Sequence, residues 1–133
     1  MHIFRKLVPV TDKTILIVDD EEDFCHLVKL NLEATNHYKV LTAYNGRDGI
    51  DMAIRHQPDL ILLDIVMPKM SGTEVADVLR NHESTKGIPI IFVTAIFTRS
   101  QVGASEYQVG ENYFLFKPIT FNQLLREIGA KLG

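Results

Sequence analysis

Tryptophan is absent from the 133 residues and cysteine occurs once, at Cys25. A single thiol cannot close an intramolecular disulfide, and no cysteine and histidine cluster has zinc-ligand spacing. A reducing intracellular compartment and no structural zinc are therefore expected. No apolar run approaches the roughly 20 residues that a membrane-spanning helix needs, and Met1 to Lys13 lacks the continuous apolar core of a signal peptide. A cytoplasmic chain with no membrane partner is the resulting expectation. An excess of positive charge is missing too, since 14 Lys and Arg against 17 Asp and Glu leave a net charge of −3. That balance disfavours direct binding to nucleic acid. Internal repeats and low-complexity runs are also lacking. What is present is an ordinary globular composition, 46% apolar and 23% charged, at a length that fits one domain able to bury about two-thirds of its unfolded surface.

Four short apolar runs stand out. Thr14-Ile15-Leu16-Ile17-Val18, Leu60-Ile61-Leu62-Leu63, Ile88-Pro89-Ile90-Ile91-Phe92-Val93 and Tyr113-Phe114-Leu115-Phe116 have the length and β-branched or aromatic content of strands buried on both faces. Pro89 is tolerable there only at the strand's start. Tyr38 to Ala43, of mixed polarity, reads as a further strand near an edge. Between these runs apolar residues recur at helical spacing. Phe24, Leu27, Val28 and Leu32 predict a first helix whose first turn is acidic. A second carries Ile50, Ala53 and Ile54, opened by Asn45-Gly46 and ended by Gln57-Pro58. Val75, Ala76, Val78 and Leu79 predict a third over Thr73 to Asn81, and Phe121, Leu124, Leu125 and Ile128 the last. Ser100 to Val109 is expected to be the fourth helix from the alternation of elements, although it contains Gly103. Alternation of strand and helix predicts an α/β fold with a five-stranded parallel sheet, helices on both faces and right-handed crossovers. Met1 to Lys13 is expected to be an extension outside it.

Polar residues collect at the carboxyl ends of these strands: Asp19 and Asp20 after the first, Asp64 after the third, Thr94 after the fourth and Lys117 after the last. In a doubly wound sheet of order 2-1-3-4-5 the switch point lies between the first and third strands, which brings the three carboxylates together. Crowded carboxylates repel unless a cation intervenes. An oxygen-only set without histidine or cysteine suits Mg²⁺ or Mn²⁺. A divalent ion, an ammonium and a hydroxyl around a carboxylate are what phosphoryl transfer requires, with the carboxylate as nucleophile. The five histidines, His2, His26, His37, His56 and His82, fall on helix surfaces or loops and are expected to be solvated. Glu21, Glu22 and Asp23 are expected to be a solvated helix start, and Cys25 a packing residue.

Val18-Asp19-Asp20-Glu21, Asp64-Ile65-Val66-Met67-Pro68 with Ser71-Gly72, Val93-Thr94-Ala95 and Lys117-Pro118, in this order, resemble the motifs of a receiver domain of two-component response regulators. The resemblance runs from Thr14 to about Leu132 and implies a flavodoxin-like (βα)5 fold, with 14–133 as the receiver domain. It implies that Asp64 accepts a phosphoryl group from a sensor histidine kinase or a histidine phosphotransfer protein in a phosphorelay. Asp20 and Asp64 would bind Mg²⁺ directly, Asp19 through water, and the backbone carbonyl of Val66 would complete the protein's ligands. Thr94, the backbone amide of Ala95 and Lys117 would hold the phosphoryl oxygens. Thr94 and Phe114 would be the switch residues, changing the 94–117 face that binds a downstream protein target or an output domain not contained in this chain. The resemblance also allows a dimer through the face of the fourth and fifth helices, and implies a cis bond between Lys117 and Pro118. Such a protein is a switch rather than an enzyme, with self-phosphorylation from small donors at most. Val66 and Ile96, two positions beyond Asp64 and Thr94, are apolar and cannot orient a hydrolytic water, so slow self-dephosphorylation is expected. Two other readings differ in class. A Mg²⁺-dependent phosphatase would need a second carboxylate where Val66 stands, and a phosphorylation-independent adaptor would not need the whole constellation.

Overall fold

The computed structural model describes residues 13–95, 106–109 and 112–132. Its elements are β1 (Lys13–Val18), α1 (Glu22–Glu33), β2 (Tyr38–Ala43), α2 (Gly46–His56), β3 (Leu60–Leu63), α3 (Gly72–Arg80), β4 (Ile90–Thr94), β5 (Glu106–Val109), β6 (Asn112–Phe116) and α4 (Phe121–Leu132). They form one six-stranded sheet of order β2-β1-β3-β4-β6-β5. The five strands from β2 to β6 are parallel, so the expected doubly wound order 2-1-3-4-5 is found, with β6 as its fifth member. Lys13, expected to lie in the extension, already pairs with Tyr38.

The sixth strand is a correction. Glu106–Val109 was expected within a helix over Ser100 to Val109, yet it runs antiparallel to β6, with Tyr107 opposite Phe114 and Gln108 opposite Tyr113. Glu106-Tyr107-Gln108-Val109 alternates polar with aromatic or β-branched residues, a period of two that suits a strand and gives no helical stripe. Only two residues separate it from β6, a hairpin length. The rest of the expected fourth helix, with Gly103, lies outside the described residues, as do Ile96 and His2.

Alternation along the buried strands sorts the core into two layers. Ile15, Ile17, Leu60, Leu62, Ile91, Val93 and Leu115 face α1 and α4, where Cys25, Val28, Leu32, Leu124 and Ile128 meet them. Leu16, Val18, Ile61, Leu63, Ile90 and Phe92 face Ala53 of α2 and Val75, Ala76 and Leu79 of α3. Leu27 and Val78 were expected on the apolar stripes but are 58% and 40% exposed. The sheet takes up the stripe through Cys25, Val28 and Leu32 on α1 and through Val75, Ala76 and Leu79 on α3, which turns the neighbouring apolar residue outward.

The helix boundaries follow local chemistry. Asn45 accepts the Asp48 amide at 2.8 Å to cap α2. Gln57 ends that helix at φ 47°. Ser71 and Glu74 form a reciprocal capping box on α3. His26, His37, His56 and His82 are exposed, as expected. Cys25 is fully buried, and desolvation pushes its thiol up to about 12. No helix among the described residues is long and apolar enough to cross a membrane.

Candidate functional site

The strand ladder continues one residue past the carboxyl ends of the strands, and this builds the site. The Asp19 amide donates to the Ala43 carbonyl at 3.0 Å, the Asp64 amide to Val18 at 3.0 Å and the Lys117 amide to Thr94 at 2.9 Å. Asp19, Asp64 and Lys117 are thus held by the backbone where their strands emerge. A cleft of about 340 Å³ opens there, lined by Asp20, Glu21, Asp64, Val66, Thr94, Ala95 and Lys117.

Asp19, Asp20 and Asp64 each offer a carboxylate oxygen, and these oxygens lie within 4.8 Å of one another. Asp19 and Asp64 are 1% and 6% exposed, whereas Asp20 faces solvent. Burial raises the Asp64 carboxyl above the ordinary 3.8, and repulsion from Asp19 adds to the rise. Lys117, the Thr94 hydroxyl and the Val66 amide oppose it by pairing with the charged form. Desolvation likewise raises Asp19.

Lys117 sits between three carboxylates. Its Nζ donates to Asp19 Oδ2 at 2.9 Å and to Glu21 Oε1, and stands 4.0 Å from Asp64 Oδ2. The ammonium also lies 4.3 Å from the centroid of the Phe24 ring. Burial by itself lowers the Lys117 ammonium, but hydrogen bonds to Asp19 and Glu21 outweigh it and the net shift is upward.

Every site residue expected from the sequence is found at this edge except Phe114. Its half-buried ring stacks on Phe92 with centroids 5.1 Å apart, in the register that pairs β4 with β6. Val66 is 60% exposed at the cleft's rim. The Lys117-Pro118 peptide is cis.

Two participants were not anticipated. Glu21, expected to be a solvated helix start, is exposed but pairs with Lys117, and its own amide donates to Asp19 Oδ1 at 2.9 Å. It stands at the N-cap position of α1 without a side-chain capping bond, because its carboxylate is engaged by the lysine. Gly72, quoted from the sequence only as part of the motif around Asp64 and given no role, packs so closely that an added Cβ would lie 2.0 Å from the Asp64 carbonyl oxygen.

The residues present fit a hard divalent cation. The donors are all oxygen, two of the carboxylates, Asp19 and Asp64, are buried with raised proton affinity, and a single lysine stands beside both. An ion here would relieve the repulsion that burial intensifies.

Comparison with known proteins agrees with this geometry. The family model described as "Response regulator receiver domain" matches residues 15–129. Response regulator ArlR of Staphylococcus aureus is 39% identical over 119 residues, covering 89% of this chain and 52% of ArlR. The chain therefore spans about half the length of the curated relatives it matches. Among solved structures, chemotaxis protein CheY4 of Vibrio cholerae superposes with a TM-score of 0.76 at 27% identity, covering 92% of this chain and all of CheY4. The signal receiver domain of a putative LuxO repressor protein from Vibrio parahaemolyticus gives 0.72 at 29% identity, covering 91% of this chain and 90% of that one. With acidic residues, threonine and lysine gathered at the carboxyl edge of a doubly wound sheet, the chain belongs to the receiver domain family of the two-component response regulators, the phosphorelay signalling switches.

Proposed function

We propose that Asp64 is the phosphoacceptor of a magnesium-dependent switch whose domain begins at Lys13, the first residue of β1, with 1–12 as an extension. The observation that carries this reading is the buried Asp64 carboxylate. It is hydrogen-bonded to Thr94, 4.0 Å from the Lys117 ammonium and within reach of Asp19 and Asp20.

In the proposed transfer, an Asp64 carboxylate oxygen attacks phosphorus on a phosphohistidine of a partner kinase or phosphotransfer protein. The oxygen–phosphorus bond forms as the phosphorus–nitrogen bond breaks, and the electron pair leaves with the imidazole. Asp20, Asp64 and the Val66 carbonyl would hold Mg²⁺ (or Mn²⁺) directly. Both Asp19 oxygens are already occupied, by the Glu21 amide and Lys117, which supports contact from Asp19 through water. When bound, the ion would neutralise charge on the phosphoryl oxygens. Lys117 would shift from its carboxylate partners toward a phosphoryl oxygen. The Thr94 hydroxyl would turn from the carboxylate to the phosphoryl group, joined by the Ala95 amide. Phosphorylation adds roughly −1.5 to −2 charges and three acceptors at this strand end. Thr94 and Phe116 are opposite one another in the β4–β6 ladder, so a pull on Thr94 acts where β6 meets the site. Phe114, stacked on Phe92, is the ring free to repack in response. The 94–117 face then binds a protein target or an output domain, and modification alters that affinity.

The test is to incubate the protein with Mg²⁺ and acetyl phosphate and follow intact mass. One phosphoryl group is expected on the parent and none on Asp64→Ala, with uptake lost when Mg²⁺ is chelated. Equal labelling of the variant would assign the acceptor elsewhere.

Val66 also sets a lifetime. Its apolar side chain at the open rim cannot orient an attacking water, so the phosphoprotein is expected to lose its group slowly. Val66→Asn is expected to speed the loss about tenfold, less than the roughly 10²–10⁴-fold of a fully positioned general acid or base. Rapid decay of the parent, unaffected by the substitution, would contradict this.

A further inference from the structure

We propose a second anion site, suited to a phosphate ester or polyphosphate of mononucleotide size, at the edge of the sheet opposite Asp64. Thr94, at the carboxyl end of β4, lines the Asp64 cleft, whereas Ile90, at the amino end of the same strand, lines this one. The cleft measures about 460 Å³, within the usual range of roughly 300–1,000 Å³ for small-molecule sites. Three cations from separate elements converge on it: Arg80 from the end of α3, Lys86 from the loop before β4 and Lys131 from the last turn of α4. The remaining lining, residues 87–90, carries no carboxylate, in a chain whose net charge is −3.

Among the described contacts, Arg80 and Lys131 are held by neutral groups and Lys86 by an exposed carboxylate. Arg80 donates from Nη1 to Asn112 Oδ1 at 2.8 Å and lies 6.0 Å from the Phe92 centroid. Lys131 Nζ stands 4.6 Å from the Tyr113 centroid. An aromatic face and an amide oxygen orient a cation but leave its charge and its other N–H groups for a ligand. Lys86 pairs with Glu83 at 2.8 Å, with side chains 59% and 80% exposed, and a pair so exposed is readily exchanged for a stronger one. Each cation near a helix end is stabilised by the helix dipole, yet that effect acts on each helix separately and does not explain convergence on one cleft. A planar guanidinium fork flanked by two ammonium groups matches phosphate oxygens, and the volume holds a mononucleotide rather than an extended peptide.

Amide NMR spectra of the full chain, titrated with inorganic pyrophosphate and separately with adenosine monophosphate in magnesium-free, low-salt buffer, test the assignment. Saturable shifts are expected at Gly87, Ile88 and Asn112, with Asp64 and Thr94 unmoved. Arg80→Gln and Lys131→Gln are each expected to weaken binding about tenfold, the loss of one charge-assisted hydrogen bond. Lys39→Gln on β2 should leave it unchanged. Lys131 is exposed, so its variant keeps the fold even if Arg80→Gln disturbs Asn112. Absence of saturable shifts, shifts confined to the surroundings of Asp64 and Lys117, or parental affinity in both variants would overturn the proposal. Tighter saturable binding of an acidic hexapeptide would also overturn it, in favour of a peptide dock.

Discussion

Gly72→Ala is expected to abolish phosphoryl uptake at Asp64 and to lower the unfolding free energy by about 3 kcal/mol, the upper range for a forced overlap in a packed interior. The added Cβ would stand 2.0 Å from the Asp64 carbonyl oxygen, 2.8 Å from its carbon and 2.9 Å from Ile65 Cα. All three are backbone atoms, so no rotamer change relieves the overlap. Nor can α3 simply withdraw. The Gly72 amide donates to the Ile65 carbonyl at 2.8 Å, and the Ser71–Glu74 capping box fixes the first turn of the same helix. Relief must come from moving the end of β3, which carries the carboxylate that Thr94 and Lys117 address. Gly87→Ala is the control, because its Cβ would meet nothing within 4 Å. Urea unfolding and acetyl phosphate labelling of the two variants check the expectation. A Gly72→Ala protein with parental midpoint and labelling would disprove it.

Asp64→Asn is expected to end phosphoryl uptake while stabilising the metal-free protein by about 1–2 kcal/mol, the usual scale on which a strained functional site costs stability. Desolvation raises the Asp64 carboxyl, and the nearby Asp19 charge adds to it. Lys117 stays paired with Asp19 and Glu21 in the variant, so removing the Asp64 charge strands no partner. The pH dependence has a definite sign. A carboxyl whose folded value lies above its unfolded value, near 3.8, binds its proton more tightly in the native state. Stability is therefore highest at acid pH with respect to these two groups and falls as pH rises from about 3.8 through their raised folded values. Asp64→Asn should flatten that fall, leaving the part due to Asp19. Asp20, Glu21 and Lys117 are the other charged groups facing the pair. Mg²⁺ should raise the parental midpoint at neutral pH and affect the variant less. Calorimetric melts of both proteins between pH 4 and 7, with and without Mg²⁺, measure this. A variant less stable than the parent, with an equally steep pH dependence, would refute the repulsion.

The sheet was legible because its strands are contiguous apolar runs. Leu60 to Leu63 announces a strand buried on both faces, and the carboxylate that follows announces a functional edge. Asn45 and Gln57 marked helix ends because capping is a bond between residues a few positions apart, whereas the Ser71 cap was not read. Glu106 to Val109 was misread because four residues of period two, beside an edge, carry less signal than the expectation that strands and helices alternate. Leu27 and Val78 were misassigned since several apolar residues on one helix compete for its buried face, and the choice belongs to the surface it packs against.

By itself the sequence determined the five strands of the parallel sheet and put Asp19, Asp20, Asp64, Thr94 and Lys117 at or just beyond their carboxyl ends, since each lies at the end of a locally encoded element. Only the tertiary structure decided that Lys117 is shared by Asp19 and Glu21, residues 98 and 96 positions away in the chain, and that Gly72 presses on the Asp64 backbone. It also brought Arg80, Lys86 and Lys131 around one cleft. The physical reason is range. Hydrophobic period and capping act over a few residues, whereas burial, charge pairing and close approach exist only once the layers have closed and solvent has been excluded between them.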